Sequence, residues 1–280
     1  MMPEDWDFAV LKKQILMDAG FDCSSYSDKF LKRRFDIRMR ANNVGSYREY
    51  GALLKRDPLE YTELIEVLTI PVTEFFRDPD VFEDFEKVVV PKLIADKKRK
   101  KQKVIRIWSA GCASGEEAYS IAMLMDEFLG PKLDDFTLSI HGIDIDDAAL
   151  AKAERGEYTP EEVKKIPEAY LKKYFGFDGK KYRIDEGLKR LVRFKKHNLI
   201  SGKPYRYFDV IFCRNVLIYF SREAHEKVHM LFYDALNNDG FLIVGKTEML
   251  SGKVREMLVP VGNKGIYQKP SWFPSSSREF

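Results

Sequence analysis

Cysteine is scarce in this chain. Of 280 residues only Cys23, Cys112 and Cys213 are cysteine, an odd number at wide spacing. That matches neither a disulfide framework nor a zinc site, so no metal is expected. Cys112 and Cys213 fall near expected strand ends and read as small apolar residues, which suits a reducing cytoplasm. Also missing is any apolar run long enough to cross a bilayer. The opening residues, Met1 to Trp6, lack the basic-then-apolar layout of a secretory leader, so neither membrane insertion nor export is expected. No charge of one sign dominates: 47 Lys and Arg stand against 44 Asp and Glu, a net charge of +3. Bulk charge of that size does not describe a nucleic-acid binder. There is no internal repeat, and no G-x-G-x-x-G dinucleotide fingerprint.

What stands where that fingerprint would be is Gly111-Cys-Ala-Ser-Gly115, a G-x-x-x-G turn. It follows Val104-Ile-Arg-Ile-Trp108, rich in β-branched and aromatic residues and read as a buried strand. It leads into Tyr119 to Leu129, read as a helix. Strand, Gly-rich turn and helix make a nucleotide-type cofactor loop, with free N–H groups and a positive dipole end on the first helical turn. Glu116 and Glu117 follow the turn at once. Two carboxylates there repel a pyrophosphate but suit a cofactor without phosphates, whose ribose hydroxyls or cationic groups need acceptors. S-adenosylmethionine has those features. The competing reading is an ordinary strand-to-helix turn with capping glutamates.

The chain up to about residue 95 reads as all helix. Phe8, Leu11, Ile15 and Ala19 recur at helical spacing. The next helix, Lys29 to Arg40, sets Phe30, Leu31, Phe35 and Met39 among a dense set of cations. Ser46 with Glu49 is a capping box, and Asp57-Pro58 an N-cap followed by proline. The run 96–103 is basic without interleaved aromatics and reads as a solvated linker rather than a nucleic-acid patch. From Val104 strands alternate with helices, which predicts a doubly wound parallel sheet over residues 104–270. Tyr182-Arg-Ile184 and Leu191 to Phe194 read as a hairpin within a small β-subdomain at about 176–197. The polar tail 271–280 is expected to be disordered.

In such a sheet the ligand sits at the carboxyl ends of the strands. The residues there are Ser109 to Glu116, Asp144 after the second strand, and Arg214 to Tyr219 after the third. Asp144 is placed to accept from ribose hydroxyls, although its interval from Gly111 exceeds the usual ~20 residues. Asp146 is better placed to cap the next helix. Arg77 follows Phe75-Phe76 in a proline-bounded loop, where the aromatic pair would pin the loop and leave Arg77 to reach the cleft.

Taken together, Thr73-Glu-Phe-Phe-Arg-Asp78, Trp108 to Ser120, Gly142-Ile-Asp-Ile-Asp146, Asn198-Leu199 and Cys213 to Phe220 resemble the CheR family of chemotaxis receptor methyltransferases. The resemblance implies a helical N-terminal domain and a Rossmann-like, S-adenosylmethionine-binding α/β domain with a small antiparallel β insertion. It implies methylation of glutamate side chains on transmembrane chemoreceptors. By motif it also implies that Thr73, Arg77, Ala110, Glu116, Asp144, Asn198, Leu199, Asn215 and Val216 hold the cofactor, with Arg77 and Tyr219 at the reacting groups. Many members carry Asn where this chain has Pro71, so backbone must replace a side-chain amide contact. The compact connection Phe177 to Tyr182 suggests a member that does not use a receptor-tail tether. Lys32, Arg33, Arg34, Arg38 and Arg40 would meet an acidic receptor face; a plainly solvated helix face is the alternative. A monomer is expected. A methyltransferase of RNA or a small molecule, and a non-catalytic cofactor-sensing module, are the competing functions.

Overall fold

The computed structural model describes residues 3–69, 72–262 and 265–271. The expected tail beyond 271 and the departure at Pro71 therefore lie outside the described residues. Two compact units emerge: Met1–Ile70 with the returning segment Ile218–His225, and Pro71–Leu217 with Glu226–Phe280. The division falls at residue 70, not at the basic run expected to link two domains.

The helical unit is built from α1 (Pro3–Ala19), α2 (Asp28–Ala41), α3 (Tyr47–Arg56) and α4 (Leu59–Thr69). Ser27 caps α2 and Ser46 caps α3, each accepting from the N–H three residues on, as such residues do at free helix ends. The core is Phe8, Leu11, Ile15, Leu31, Phe35, Tyr50, Leu54 and Leu64, all nearly fully buried. Ile218–His225 joins this unit through aromatic contacts: Phe220 meets Tyr26 edge-on at 4.9 Å and Tyr219 lies 5.0 Å from Phe30.

The second unit begins with α5 (Pro79–Asp84), a π-helical turn (Phe85–Val89) and α6 (Val90–Arg99). The expected linker is thus partly the last turns of α6. Lys97 is buried there, 2.8 Å from Asp209, and Lys100 bridges Asp96 and Asp239. Paired in this way, these cations stay on a packed helix instead of extending into solvent.

The remaining elements are β1 (Val104–Ala110), α7 (Glu116–Leu129), β2 (Thr137–Asp144), α8 (Asp147–Arg155), β3 (Glu157–Tyr158), α9 (Pro160–Val163), α10 (Glu168–Tyr174), β4 (Phe175–Phe177), β5 (Tyr182–Ile184), α11 (Glu186–Lys189), β6 (Val192–Lys196), β7 (Phe208–Cys213), α12 (Arg222–Ala235), β8 (Leu236–Val244), α13 (Val254–Met257), β9 (Val259–Pro260) and β10 (Ile266–Gln268). Among the described residues the main sheet has the order β6-β2-β1-β7-β8-β10-β9. Its first five strands are parallel, and β10 pairs antiparallel with both β8 and β9. This is the Rossmann-like α/β fold expected. β7 is wholly buried and β1 is buried from Ile107 on, as strands with both faces covered must be.

The hairpin expectation is corrected. β5 pairs antiparallel with β4 and β3 to make the small second sheet. β6 instead joins the main sheet, parallel to β2, with Ile140 opposite Val192 and Asp144 opposite Lys196. The loop between β5 and β6 forms α11 rather than a tight turn, so no two-stranded hairpin can close there.

Candidate cofactor site

The turn after β1 is held by backbone. The N–H groups of Gly111 and Cys112 both donate to the carbonyl of Ile143, at 2.7 and 3.1 Å. Gly111 has φ +75°, and a Cβ there would lie 2.3 Å from Val216 Cγ2. Only glycine satisfies both constraints. Gly115, at φ +94°, starts α7, and its Cβ would meet Ala153 at 2.9 Å. Both glycines are thus required by close packing at the carboxyl end of the sheet. Ala110 lies buried beneath them.

Several carboxylates lie around this turn. Asp144 accepts from Ala113 N at 2.8 Å on one oxygen, and from Ile145 N and Asp146 N at 2.7 and 3.0 Å on the other. It therefore ties the loops after β1 and β2 together and keeps only its remaining lone pairs for a ligand. Burial raises its pKa despite the N–H groups that pull the other way. Asp146 caps α8 from the N–H groups of Ala148 and Ala149, as expected. Glu116 is 3% exposed and accepts from Ser114 Oγ; burial raises its pKa too. Glu117, for which helix capping was the competing reading, points inward. It accepts from Ser109 Oγ at 2.7 Å and lies 3.4 Å from Arg214. Burial pushes its pKa up, and Arg214 opposes that.

Arg214, placed by the sequence at the ligand edge after the third strand, was given no role there. Its side chain is 1% exposed. It reaches Asp78 at 2.7 Å and the Arg77 carbonyl at 2.6 Å, and stacks 5.4 Å over Phe82. It thereby fastens the loop 72–78 to the end of β7. The same loop is anchored by Phe75, fully buried against Tyr158 and Phe175, and by Phe76 N–H donating to Ser120 Oγ. Arg77 itself is half-buried and donates to the Val72 carbonyl at 3.0 Å; Thr73 is half-buried beside it. The polar pair Arg214-Asn215 at a strand end was the only available signal for Arg214.

Asn215 sits at φ +60°, its N–H donates to Glu248 at 2.9 Å, and its side-chain oxygen is buried with no partner. Glu248 also accepts from Gly245 N at 2.7 Å. It was not foreseen, because nothing local in the sequence marks it. Asn198 closes the turn after β6, accepting from Ile200 N and Ser201 N, and Leu199 is buried next to it.

Thr73, Arg77, Ala110, Glu116, Asp144, Asn198, Leu199, Asn215 and Val216 therefore all belong to the α/β unit. Tyr219 clusters with the helical unit, its carbonyl accepting from Ser27 N at 3.0 Å. Of the expected receptor-facing cations, Arg33 and Arg40 are exposed. Lys32 lies 3.5 Å from Asp5. Arg34 stacks over Phe30 and has an unpaired buried Nε. Arg38 departs from that expectation. It forms a bidentate pair with Glu60 at 2.8 and 2.5 Å, and Tyr50 donates to the same carboxylate. Arg38 holds α2 to α4 and is not available to a partner.

The α/β site fits a nucleoside cofactor bearing a positive charge. It offers a glycine cradle that a Cβ would fill, an orphaned Asn215 oxygen, and buried carboxylates whose pKa values burial raises. Among the described residues no cluster of side chains could hold a metal ion.

Residues 71–264 match the model of the CheR methyltransferase, SAM binding domain, and residues 6–69 that of the CheR methyltransferase, all-alpha domain. The chain is 32% identical over 251 residues to the chemotaxis protein methyltransferase of Listeria innocua, covering 89% of this chain and 93% of the relative. It is 32% identical over 261 residues to that of Borreliella burgdorferi, covering 91% and 92%. Among solved structures, a TehB-like SAM-dependent methyltransferase from Corynebacterium glutamicum aligns with 63% of this chain and 85% of its own at 13% identity, with a TM-score of 0.36.

Proposed function

Because the chain belongs to the CheR methyltransferase family and carries its S-adenosylmethionine-binding domain, we propose that it methylates glutamate side chains of transmembrane chemoreceptors, on their cytoplasmic portion. The observation that carries this reading is that one compact unit holds both the Arg77 loop and the Gly111 turn, with Arg214 tying that loop to the end of β7 and to Glu117 at the start of α7. The curated relatives quoted above are named for chemotaxis methylation.

The chemistry demands little acid–base work. A glutamate side chain, with a reference pKa of ~4.3, is already ionised at neutral pH and needs no general base. Bound S-adenosylmethionine supplies a methyl group activated by its sulfonium. What remains for the protein is positioning and exclusion of water. In this proposal Asp144 accepts from the ribose hydroxyls, Asn198 and Leu199 flank the adenine, and Thr73, Ala110, Glu116, Asn215 and Val216 line the rest. Arg77 orients the incoming carboxylate; too tight a pair with Arg77 would lower its nucleophilicity. Lys32, Arg33 and Arg34 on α2 meet an acidic receptor face, and the protein works as a cytoplasmic monomer.

The test incubates methyl-labelled S-adenosylmethionine with receptor membranes and measures base-labile methanol release. Release is expected, and Arg77→Ala should cut it by about tenfold or more. Label entering RNA or a small molecule instead would overturn the receptor assignment. An Arg77→Ala rate equal to wild type would remove Arg77 from the reacting groups. Receptor affinity unchanged by charge reversal at Arg33 and Arg34 would remove the α2 face.

A further inference from the structure

At the opposite end of the main sheet lies a cleft of about 430 Å³, lined by Lys103, Arg106, Tyr207 and Asn237 above a floor of Lys97 and Asp209. Arg106 precedes Gly111 by five residues on β1, so the cleft opens about 15 Å from the cofactor turn. The floor is electrically closed. Asp209 takes Lys97 at 2.8 Å, Asn237 at 2.7 Å and Arg106 N–H at 2.9 Å. The walls are not closed. Lys103 and Arg106 are exposed and have no carboxylate partner among the described residues.

The positive wall continues across the sheet. Arg106 sits opposite Ser139 on β2, and His141, on the same face, sits opposite Arg193 on β6. The register therefore puts Arg106 and Arg193 on the sheet face that carries His141, and the His141 pKa is lowered by burial and by both cations. Two strand spacings separate β1 from β6, about 10 Å. Tyr207 stands at the other side of the cleft. Its ring is 67% exposed and its backbone is held at φ +69°, a conformation a tyrosine rarely adopts.

We propose that this cleft binds a nucleoside di- or triphosphate, with the base stacked on Tyr207 and the phosphates running from Lys103 and Arg106 towards Arg193. An exposed aromatic face beside unpaired cations is what a planar base and its phosphates require. A cleft of this volume with one exposed ring suits a compact ligand better than an extended acidic chain. Asp209 does not repel the phosphates, because three donors already neutralise it.

The experiment is calorimetric titration of the whole protein with ATP, GTP and inorganic tripolyphosphate, each in saturating S-adenosylhomocysteine so that the adenosine pocket is filled. One nucleotide site is expected, with tripolyphosphate binding more weakly. Tyr207→Ala should lower nucleotide affinity to the tripolyphosphate level. Arg106→Glu should weaken both by about tenfold or more; Arg193→Glu, on an exposed part of β6, serves if Arg106→Glu does not fold. Methyl transfer without nucleotide should not change in either variant. The proposal is overturned if no heat appears at millimolar nucleotide. Binding indifferent to both charge reversals also overturns it. So does poly-glutamate competing as well as ATP, since the face would then be an acidic-peptide surface.

Discussion

Arg214 is the point at which a single side chain decides most. Removing it leaves Glu117 and the partly exposed Asp78 facing each other's surroundings without a counter-charge. Breaking a buried pair in this way costs roughly 3–5 kcal/mol. Arg214→Met should lower the midpoint of urea unfolding accordingly. Adding Glu117→Gln should recover part of the loss, and Lys at 214 should not, because a point charge cannot span Asp78, Glu117 and a carbonyl at once. The buried carboxylates make a second prediction. Glu116 and Asp144 have pKa values raised by burial. Their protons are held more tightly in the fold than in the unfolded chain. Their contribution to stability is therefore complete below the unfolded value of about 4 and is lost as pH rises through the folded one. A cationic ligand favours their ionised forms, so affinity for S-adenosylmethionine should climb with pH through the raised values. S-adenosylhomocysteine, which lacks the sulfonium charge, should show a shallower rise in the same titration. Equal slopes would mean that the carboxylates do not sense the sulfonium. Glu116 and Asp144 were legible as candidate cofactor residues because one opens the helix after the Gly-rich turn and the other ends a strand. Glu117 and Glu248 were not, since their partners, Arg214 and Asn215, lie far away in the chain.

Among the elements, the turn between β1 and α7 has the least freedom. Gly111→Ala would strain a positive φ and drive a methyl into Val216. A cost of about 2–3 kcal/mol is expected, together with loss of S-adenosylmethionine binding by calorimetry. Val216→Ala in the same chain should relieve the clash and leave the backbone strain, so recovery should be partial. The strand, turn and helix here were readable because all the constraints are local. β6 was not. Val192 and Phe194 alternate with Arg193 and Lys195, a pattern that fits a hairpin partner and a parallel neighbour equally well. Its true partner, β2, is some fifty residues earlier, and only tertiary pairing selects it. The small sheet was anticipated in place but not in membership, for the same reason: β3 to β5 are too short to declare their partners.

For the whole molecule, the two-part composition was visible in the switch from helical periodicity to alternating strands. The boundary was not. A basic run suggested a linker, yet buried pairing at Lys97 carries α6 through it. The returning segment Ile218–His225 was equally hidden, because its contacts to Tyr26 and Phe30 are aromatic and long-range. Phe220→Ala should destabilise the helical unit by about 1–2 kcal/mol. In thermal unfolding followed by circular dichroism, a fragment comprising residues 1–70 should melt below the full chain by at least as much.

The borrowed segment also sets an order of events during synthesis. The first seventy residues leave the ribosome with their helices encoded but with Tyr26 and Phe30 uncovered. The residues that cover them are made roughly 150 positions later, a delay on the order of ten seconds or more at ordinary elongation rates. For that interval the nascent chain presents an aromatic patch, and a chaperone that shields such patches would meet this protein before its helical unit is whole.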